Sequence, residues 1–323
     1  MRFWRGKMVV VAGGAGFIGQ HLVQALLNAD ARVHVIDDYS TGRSLKVQAR
    51  TPNQLTHHSH DICQPMDIPP AAVIYNLASP ASPRHYQTDP IQTWKTNVLG
   101  TLGMIEHAMA CDAIHVQAST SEVYGDPLSH PQRETDWGNV NPIGPRACYD
   151  ESKRAAEALL MDAARTRNAD VRIARIFNTY GPGMSISDGR AIPNFAAQAY
   201  AAQPITVHGE GTQTRSFCHV SDTVEALMRL AAIEAAKAEV VNIGNPAEVT
   251  ILDIAQQVNA LFGSKSDIIF VPRPADDPQR RRPDIGKAMQ LLDWTPKMAL
   301  KDGLMTIYQS DLQYHSDGAV IRA

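Results

Sequence analysis

A short apolar run, Lys7-Met8-Val9-Val10-Val11, leads into Gly13-Gly14-Ala15-Gly16-Phe17-Ile18-Gly19 and then into an amphipathic stretch that reaches about Asn28. A strand, a glycine-rich turn and a helix in that order leave few folds open. The glycines permit a tight turn and close backbone approach to a pyrophosphate, while the helix start presents unpaired N–H groups and a partial positive charge. The spacing is Gly-x-x-Gly-x-x-Gly rather than Gly-x-Gly-x-x-Gly, but it lies between strand and helix as the mechanism requires. Gly13, Gly16, Phe17, Ile18 and Gly19 are therefore the first cofactor-binding candidates. A second strand, Arg32 to Ile36, ends in Asp37, at the offset where a carboxylate meets the adenosine ribose hydroxyls. Asp37 would repel a 2'-phosphate, which favours NAD over NADP, although Arg43 is near enough in sequence to offset it.

Further strands follow at Ala72 to Asn76 and Ala113 to Gln117, with helices at Ile91 to Ala110 and from Tyr149 onward. Strands alternating with helices to about Ile176 imply an α/β fold with a doubly wound parallel (Rossmann) sheet. Beyond Ile176 the pattern turns to Gly-, Pro- and Asn-rich loops with short helices at Ile192 to Ala202, Ser221 to Ala235 and Ile251 to Phe262. The expected division is a dinucleotide domain of residues 1–178 and 215–245 and a smaller substrate-binding lobe of residues 179–214 and 246–323. A chain of 323 residues can bury a core of that extent. A net charge of −3 points away from nucleic acid. The apolar run after the basic N-terminus is broken by glycines too soon for a signal or membrane segment, so neither export nor membrane insertion is expected. The four cysteines have no paired or metal-ligand spacing, which suits reduced thiols in the cytoplasm. His57, His58 and His60 read as surface or loop residues at a strand end, and no metal is expected.

A catalytic centre is expected between Ser119 and Lys153. Tyr149 and Lys153 are four apart, so on a helix both side chains lie on one face. A phenol of reference pKa about 10 is a poor base at neutral pH, but a nearby ammonium would lower that value. The strand before it delivers Ser119 and Thr120 to the carboxyl edge of the sheet, where ligands bind. Thr120 could bond the same substrate oxygen as Tyr149. Asp61-Ile62 stands where a carboxylate commonly faces an adenine amino group, and Leu77-Ala78 would pass under the cofactor. Asn178 and Arg215 sit in stretches that offer the amides and guanidinium a diphosphate needs. The run Arg280-Arg281-Arg282 reads, on spacing alone, as a solvated loop or subunit contact.

Five stretches carry a more specific signal: Ala78-Ser79-Pro80-Ala81-Ser82-Pro83, Ser119-Thr120-Ser121-Glu122-Val123-Tyr124-Gly125-Asp126-Pro127, Trp137-Gly138-Asn139-Val140-Asn141-Pro142-Ile143-Gly144, Ile176-Phe177-Asn178-Thr179-Tyr180-Gly181-Pro182 and Arg282-Pro283-Asp284-Ile285. Over nearly the whole chain these resemble the extended short-chain dehydrogenases that act on nucleotide sugars, and most of all the UDP-glucuronate decarboxylase (UDP-xylose synthase) family. The resemblance implies a triad of Thr120, Tyr149 and Lys153, with Glu122 and Arg281 acting at the sugar carboxylate. It implies Asp38 and Asn97 as further NAD contacts and Pro80, Ser82, Ser121, Asn178, Arg190, Asn194, His208 and Arg215 as contacts to a UDP-sugar. The implied reaction oxidises sugar carbon 4, loses carbon dioxide from carbon 5 and reduces carbon 4 again, with no net redox change.

Relatives of this group that eliminate water carry an Asp where this chain has Ser121, and simple 4-epimerases have no carboxyl residue at the place of Glu122. A non-catalytic NAD or nucleotide-sugar sensor is the remaining alternative, against which Thr120, Tyr149 and Lys153 together argue. Departures from the decarboxylase pattern are Ser79 for Cys, Ser152 for Gly, and His208 and His219 for Tyr. In the resembling family the counterparts of Ile91 to Ala110 and Tyr149 to Thr166 form a dimeric four-helix bundle. Apolar residues beyond one face, Leu159, Leu160 and Met161 among them, make a homodimer the expectation.

Overall fold

The computed structural model describes residues 2–42, 44–185, 188–273 and 280–316, with 311–316 described by backbone alone. Strand β1 (Met8–Ala12) runs into helix α1 (Phe17–Asn28), followed by β2 (Arg32–Asp37), β3 (Leu55–Ser59) and β4 (Val73–Asn76). Helices α2 (Pro83–Tyr86), α3 (Pro90–Lys95) and α4 (Thr101–Ala110) precede β5 (Ile114–Thr120). The long helix α5 (Ala147–Arg167) then returns the chain to β6 (Val171–Ile176). With β11 (Glu239–Ile243), reached after β7 (Thr179–Tyr180), α6 (Ala191–Tyr200), β8 (Ile205–His208), β9 (Thr214–Ser216), β10 (Cys218–His219) and α7 (Val220–Ala232), these strands complete the main sheet.

That sheet has seven strands in the order β11-β6-β5-β4-β1-β2-β3, all paired in parallel. The order reverses between β1 and β4, which opens a crevice beyond their carboxyl ends. β1 reads as an unbroken apolar run because both of its faces are covered. Val9 and Val11 enter a core with α1 and α7, whereas Val10 and Ala12 enter a second core with α4 and α5.

A third core joins Tyr180 and Ile192 with Ile205, Val258, Leu304 and Ile307. It is built by α6, β8, α8 (Ile251–Leu261) and α10 (Leu300–Ser316). Small sheets frame it: β9 pairs antiparallel with β12 (Glu248–Thr250) and parallel with β14 (Arg280–Arg281), and β8 pairs with β13 (Ile268–Val271). Strands of two to four residues are too short to show a period of two, so the sequence suggested loops there. Helix α9 (Gly286–Leu292) returns to the first core through Ala288 and Leu292. Among the described residues no helix is long and apolar enough to cross a membrane.

The helix expected over Ile91 to Ala110 is interrupted by a π-helical turn, Thr96–Gly100, between α3 and α4. The extra residue of such a turn re-aims its side chains. Asn97 is buried and donates to Ser152 Oγ at 2.8 Å, while Gly100 lies so close to Ile62 that an added Cβ would meet Ile62 Cδ1 at 2.4 Å. Amphipathic spacing alone does not reveal an inserted residue of this kind.

Candidate functional site

The glycine turn closes the bottom of the crevice with main chain. Gly13 has φ +76°, and a Cβ there would lie 2.6 Å from Ala78 N, while a Cβ on Gly19 would lie 2.1 Å from Gly13 O. Helix α1 starts at Gly16 with no side-chain cap and no acidic residue in its first turn, so its amides remain available to an anion. Asp37 is buried and accepts from Ala15 N at 2.8 Å and Tyr39 N at 2.9 Å, tying the turn to the end of β2. Burial raises its pKa against those two amide bonds. A dinucleotide pyrophosphate fits this corner, because the glycine cradle admits a backbone-close ligand that side chains would exclude.

Tyr149 and Lys153 rise from the first two turns of α5. Lys153 Nζ donates to Ala118 O at 3.0 Å and lies 5.8 Å from the Tyr149 ring centroid. Burial lowers the Lys153 pKa to about 8, with Glu157 opposing. Burial pushes Tyr149 up to about 12, with a hydrogen bond to Thr120 pulling the other way. The expectation that Lys153 would bring the phenol below its ordinary value is thus corrected for the protein's own groups. Desolvation is the largest influence on the phenol, and the Lys153 ammonium is committed to a carbonyl. Thr120 ends β5 and starts a short 3-10 turn, Ser121–Tyr124, its Oγ1 accepting from Glu122 N at 3.2 Å.

The other end of the crevice is a knot of charges. Arg281 donates to both carboxylate oxygens of Glu122, one bond at 2.7 Å, and Arg146 donates to Oε2 as well. Burial alone would raise the Glu122 pKa, but Arg281 and Arg146 overcome it and hold the carboxyl well below the usual range. Arg146 Nε also lies 3.7 Å from Asp150 Oδ2. Burial, and then the negative Glu122, push Asp150 up to about 7 against the pull of Arg146. Arg281 reaches the site because β14 adds to β9 with Arg281 opposite Arg215. Its side chain is 7% exposed, so the sequence reading of a solvated basic loop is corrected at this residue, while Arg280 beside it is exposed.

One cleft of about 410 Å³ connects the two ends. Of the residues singled out from sequence, Gly13, Gly16, Phe17, Ile18, Gly19 and Leu77 line it at the glycine turn, and Thr120, Ser121, Glu122, Tyr149, Lys153 and Arg281 line it around the tyrosine and the charge cluster. Ser82, Asn178, Arg190, Asn194, His208 and Arg215 line the remainder. Arg190 is ion-paired with Asp188, and His208 is exposed with its ring on Pro272 O at 3.0 Å. Asp37, Asp38, Asp61, Ile62, Ala78, Pro80 and Asn97 do not line the cleft. Asp61 accepts from Cys63 N and Gln92, and Ile62 is part of the second core. Arg43 lies outside the described residues.

Among the residues at the site that were not singled out from sequence are Arg146, Asp150 and Tyr86. Arg146 stands four residues before Asp150 on what becomes one helix face, a spacing that could have exposed it. Tyr86 had no such signal: it stacks on Tyr149 with centroids 5.0 Å apart and planes at 10°, a pairing made only by the tertiary fold. Cys148 packs with both rings.

A doubly wound sheet with a dinucleotide turn and a Thr120, Tyr149 and Lys153 group in one cleft defines the class: an extended short-chain dehydrogenase. The chain belongs to the NAD dependent epimerase/dehydratase family, whose sequence model matches residues 9–244. It is 52% identical over 301 residues to UDP-glucuronic acid decarboxylase 2 of Arabidopsis thaliana, covering 93% of this chain and 67% of that relative. The epimerase Mth375 of Methanothermobacter thermautotrophicus superposes with a TM-score of 0.90 at 26% identity, covering 98% of this chain and 95% of its own. A UDP-glucuronic acid 4-epimerase variant from Bacillus cereus, solved with UDP-4-deoxy-4-fluoro-glucuronic acid and NAD, does so at 0.84 and 27%, covering 95% and 99%.

Proposed function

We propose that this chain is an NAD-dependent UDP-glucuronate decarboxylase that yields UDP-xylose. The observation that carries the reading is Glu122 gripped by Arg281 and Arg146 beside Tyr149, which sets a carboxylate-recognising group next to an oxidoreductive one. The 52% identity to an Arabidopsis protein of that name supports it. Bound NAD, held by the Gly13 to Gly19 turn with Asp37 behind it, supplies the oxidant and later the reductant for carbon 4, together with a positive charge. Tyr149 takes the proton of the carbon 4 hydroxyl as that carbon is oxidised, and Lys153 and Thr120 hold the phenol in place. Arg281 orients the sugar carboxylate, since its guanidinium carries five N–H donors and Glu122 takes two. Carbon dioxide then leaves from carbon 5, whose carboxylate stands beta to the new ketone. Tyr149 and Thr120 hydrogen-bond the enolate oxygen that results. Asn178, Arg190, Asn194, His208 and Arg215 serve the nucleotide diphosphate.

Purified protein mixed with UDP-glucuronate should release carbon dioxide and form UDP-xylose. Binding without turnover would favour the sensor reading. The expected division into residues 1–178 with 215–245 and 179–214 with 246–323 we keep as a proposal; the separate core around Ile205 and Val258 supports it, with α9 packing back on the sheet. A cytoplasmic location is proposed on the four free cysteines.

A homodimer is proposed on the first of the two helical stretches named in sequence, Ile91 to Ala110, rather than on Leu160 and Met161 of the second. Leu160 is fully buried and Met161 packs against the second core, so neither forms a free face. Ile91, Trp94, Leu99 and Leu102 instead expose an apolar row along α3, the π-helical turn and α4. Light scattering at micromolar protein should give twice the monomer mass, and a monomer mass alone rejects the pairing.

A further inference from the structure

The reaction proposed above leaves a proton unaccounted for. Tyr149 takes one proton from the carbon 4 hydroxyl and returns it when carbon 4 is reduced. Between those events the carbon 5–carboxyl bond breaks, its electron pair enters the enolate, carbon dioxide leaves, and a new C–H bond forms at carbon 5. Each turnover therefore consumes one further proton inside a buried site. Glu122 is badly placed to give it, because three guanidinium N–H bonds from Arg281 and Arg146 keep it a carboxylate.

Two buried polar atoms beside this cluster have no hydrogen-bond partner: Asp150 Oδ1 and Tyr86 Oη. Both residues are nearly inaccessible, at 6% and 1% exposure. An unpartnered buried oxygen costs free energy, so such atoms call for a function. Asp150 follows Tyr149 on α5, and its second oxygen faces Arg146, which in turn holds Glu122. Tyr86 lines the cleft and stacks flat on the Tyr149 ring. The groups that act on Asp150 are Arg146, Tyr149 and Cys148 from its own helix, Glu122 from the 3-10 turn, Arg281 from β14 and Tyr86 from α2. Burial and Glu122 together keep a proton on Asp150 into the neutral range, where an ordinary carboxyl has lost it.

We propose that Asp150 and Tyr86 are the proton supply of the site, Asp150 holding the proton that decarboxylation consumes and the Tyr86 hydroxyl passing it into the cleft toward carbon 5. Asp150 is left as the carboxylate and is recharged by a proton from water. The two orphan oxygens are not bonded to each other, so the proposed path between them includes a water. The inference rests on the decarboxylase reading. Its test separates the two.

Carbon dioxide release from UDP-glucuronate is measured from acid to alkaline pH for the wild type, Asp150→Asn and Tyr86→Phe, with UDP binding as the check on folding. The wild type should lose activity as pH rises through the neutral range, since the supply works only while Asp150 is protonated. Asp150→Asn should fall about 100-fold and lose that inflection, in line with the usual share of a general acid. Tyr86→Phe, which keeps the stack on Tyr149 and removes only the hydroxyl, should fall at least about tenfold. In both variants NADH should accumulate during the reaction, because oxidation of carbon 4 outruns protonation of carbon 5. Wild-type kcat with an unmoved pH profile in either variant overturns the proposal, as does a fall in Asp150→Asn without NADH accumulation, which would make Asp150 a support for Arg146 only. A wild type that releases no carbon dioxide at any pH removes the decarboxylase reading and this inference with it.

Discussion

The cofactor end of the cleft is made of main chain and the carboxylate end of charged side chains. At the first, four glycines within seven residues leave amides and space, and the partners that matter, Ala78 N and Gly13 O, are backbone atoms. At the second, Glu122, Arg146, Asp150 and Arg281 come from the 3-10 turn, the start of α5 and β14, and each is held by another. A backbone site fails when atoms are added to it. A charge site fails when one member is taken away, since its partner is left buried without compensation. The two ends should therefore respond to opposite kinds of substitution, and Tyr149 between them belongs to neither.

Tyr149→Phe should have the largest effect. It removes the phenol oxygen while the glycine turn is untouched, so turnover should drop by about 10²–10⁴-fold with NAD affinity unchanged. Less than about a tenfold loss in steady-state kcat would take Tyr149 out of the role of base.

Arg281→Ala probes the charge end by deletion. Leaving Glu122 and the substrate carboxylate short of a buried partner should cost roughly 2–5 kcal/mol in kcat/KM, while UDP alone still binds through Asn178 and Arg215. Arg282→Ala is the neighbouring control, because Arg282 uses its main-chain N–H to bond Gln132 and an alanine keeps that bond. Equal, small effects of the two on UDP-glucuronate turnover would move the carboxylate-binding role elsewhere.

Gly13→Ala probes the backbone end by addition. The new methyl would sit at φ +76° and 2.6 Å from Ala78 N, a left-handed conformation costing about 1–2 kcal/mol before the clash is relieved. NAD affinity by calorimetry should fall at least about tenfold, a loss of about 1.4 kcal/mol. Unchanged affinity would mean that the cradle is not where the dinucleotide lies.

The same contrast explains what could be read from the chain alone. The cofactor end lies within one strand, turn and helix, so its local spacing exposed Gly13 to Gly19, and the parallel sheet followed from the alternation of elements. The carboxylate end joins residues far apart in sequence, and nothing local in Arg280-Arg281-Arg282 says which guanidinium is buried. That selection is made by β14 lying beside β9, a two-residue strand with no detectable period. Family resemblance supplied Glu122 and Arg281, but Arg146, Asp150 and Tyr86 went unnoticed. The Tyr149 pKa was misjudged for a related reason: the helical spacing to Lys153 is visible in sequence, whereas the burial that dominates it is not.

The smallest effect is expected at Ser152, where the resembling decarboxylases have Gly, and it tests whether the support beneath the cleft matters to either end. Ser152 Oγ accepts from Asn97 Nδ2 at 2.8 Å and donates to Cys148 O one turn earlier, which links the π-helical turn to α5. Ser152→Gly would remove both bonds and place a flexible residue inside a helix. Against that, the Asn97 carboxamide is already half unpaired, since its Oδ1 has no partner, and a glycine would let the π-helical turn settle closer to α5. The hydrogen-bond and helix-propensity losses together are worth about 1–2 kcal/mol, and resettling returns part of it. We expect chemical denaturation to show a loss of about 1 kcal/mol, with kcat and NAD affinity within twofold of the wild type. A stability loss near zero would mean that the Asn97–Ser152 bond only replaces an equally good contact with the helix backbone. A large fall in kcat would instead tie the position of Tyr149, three residues away, to this link between helices.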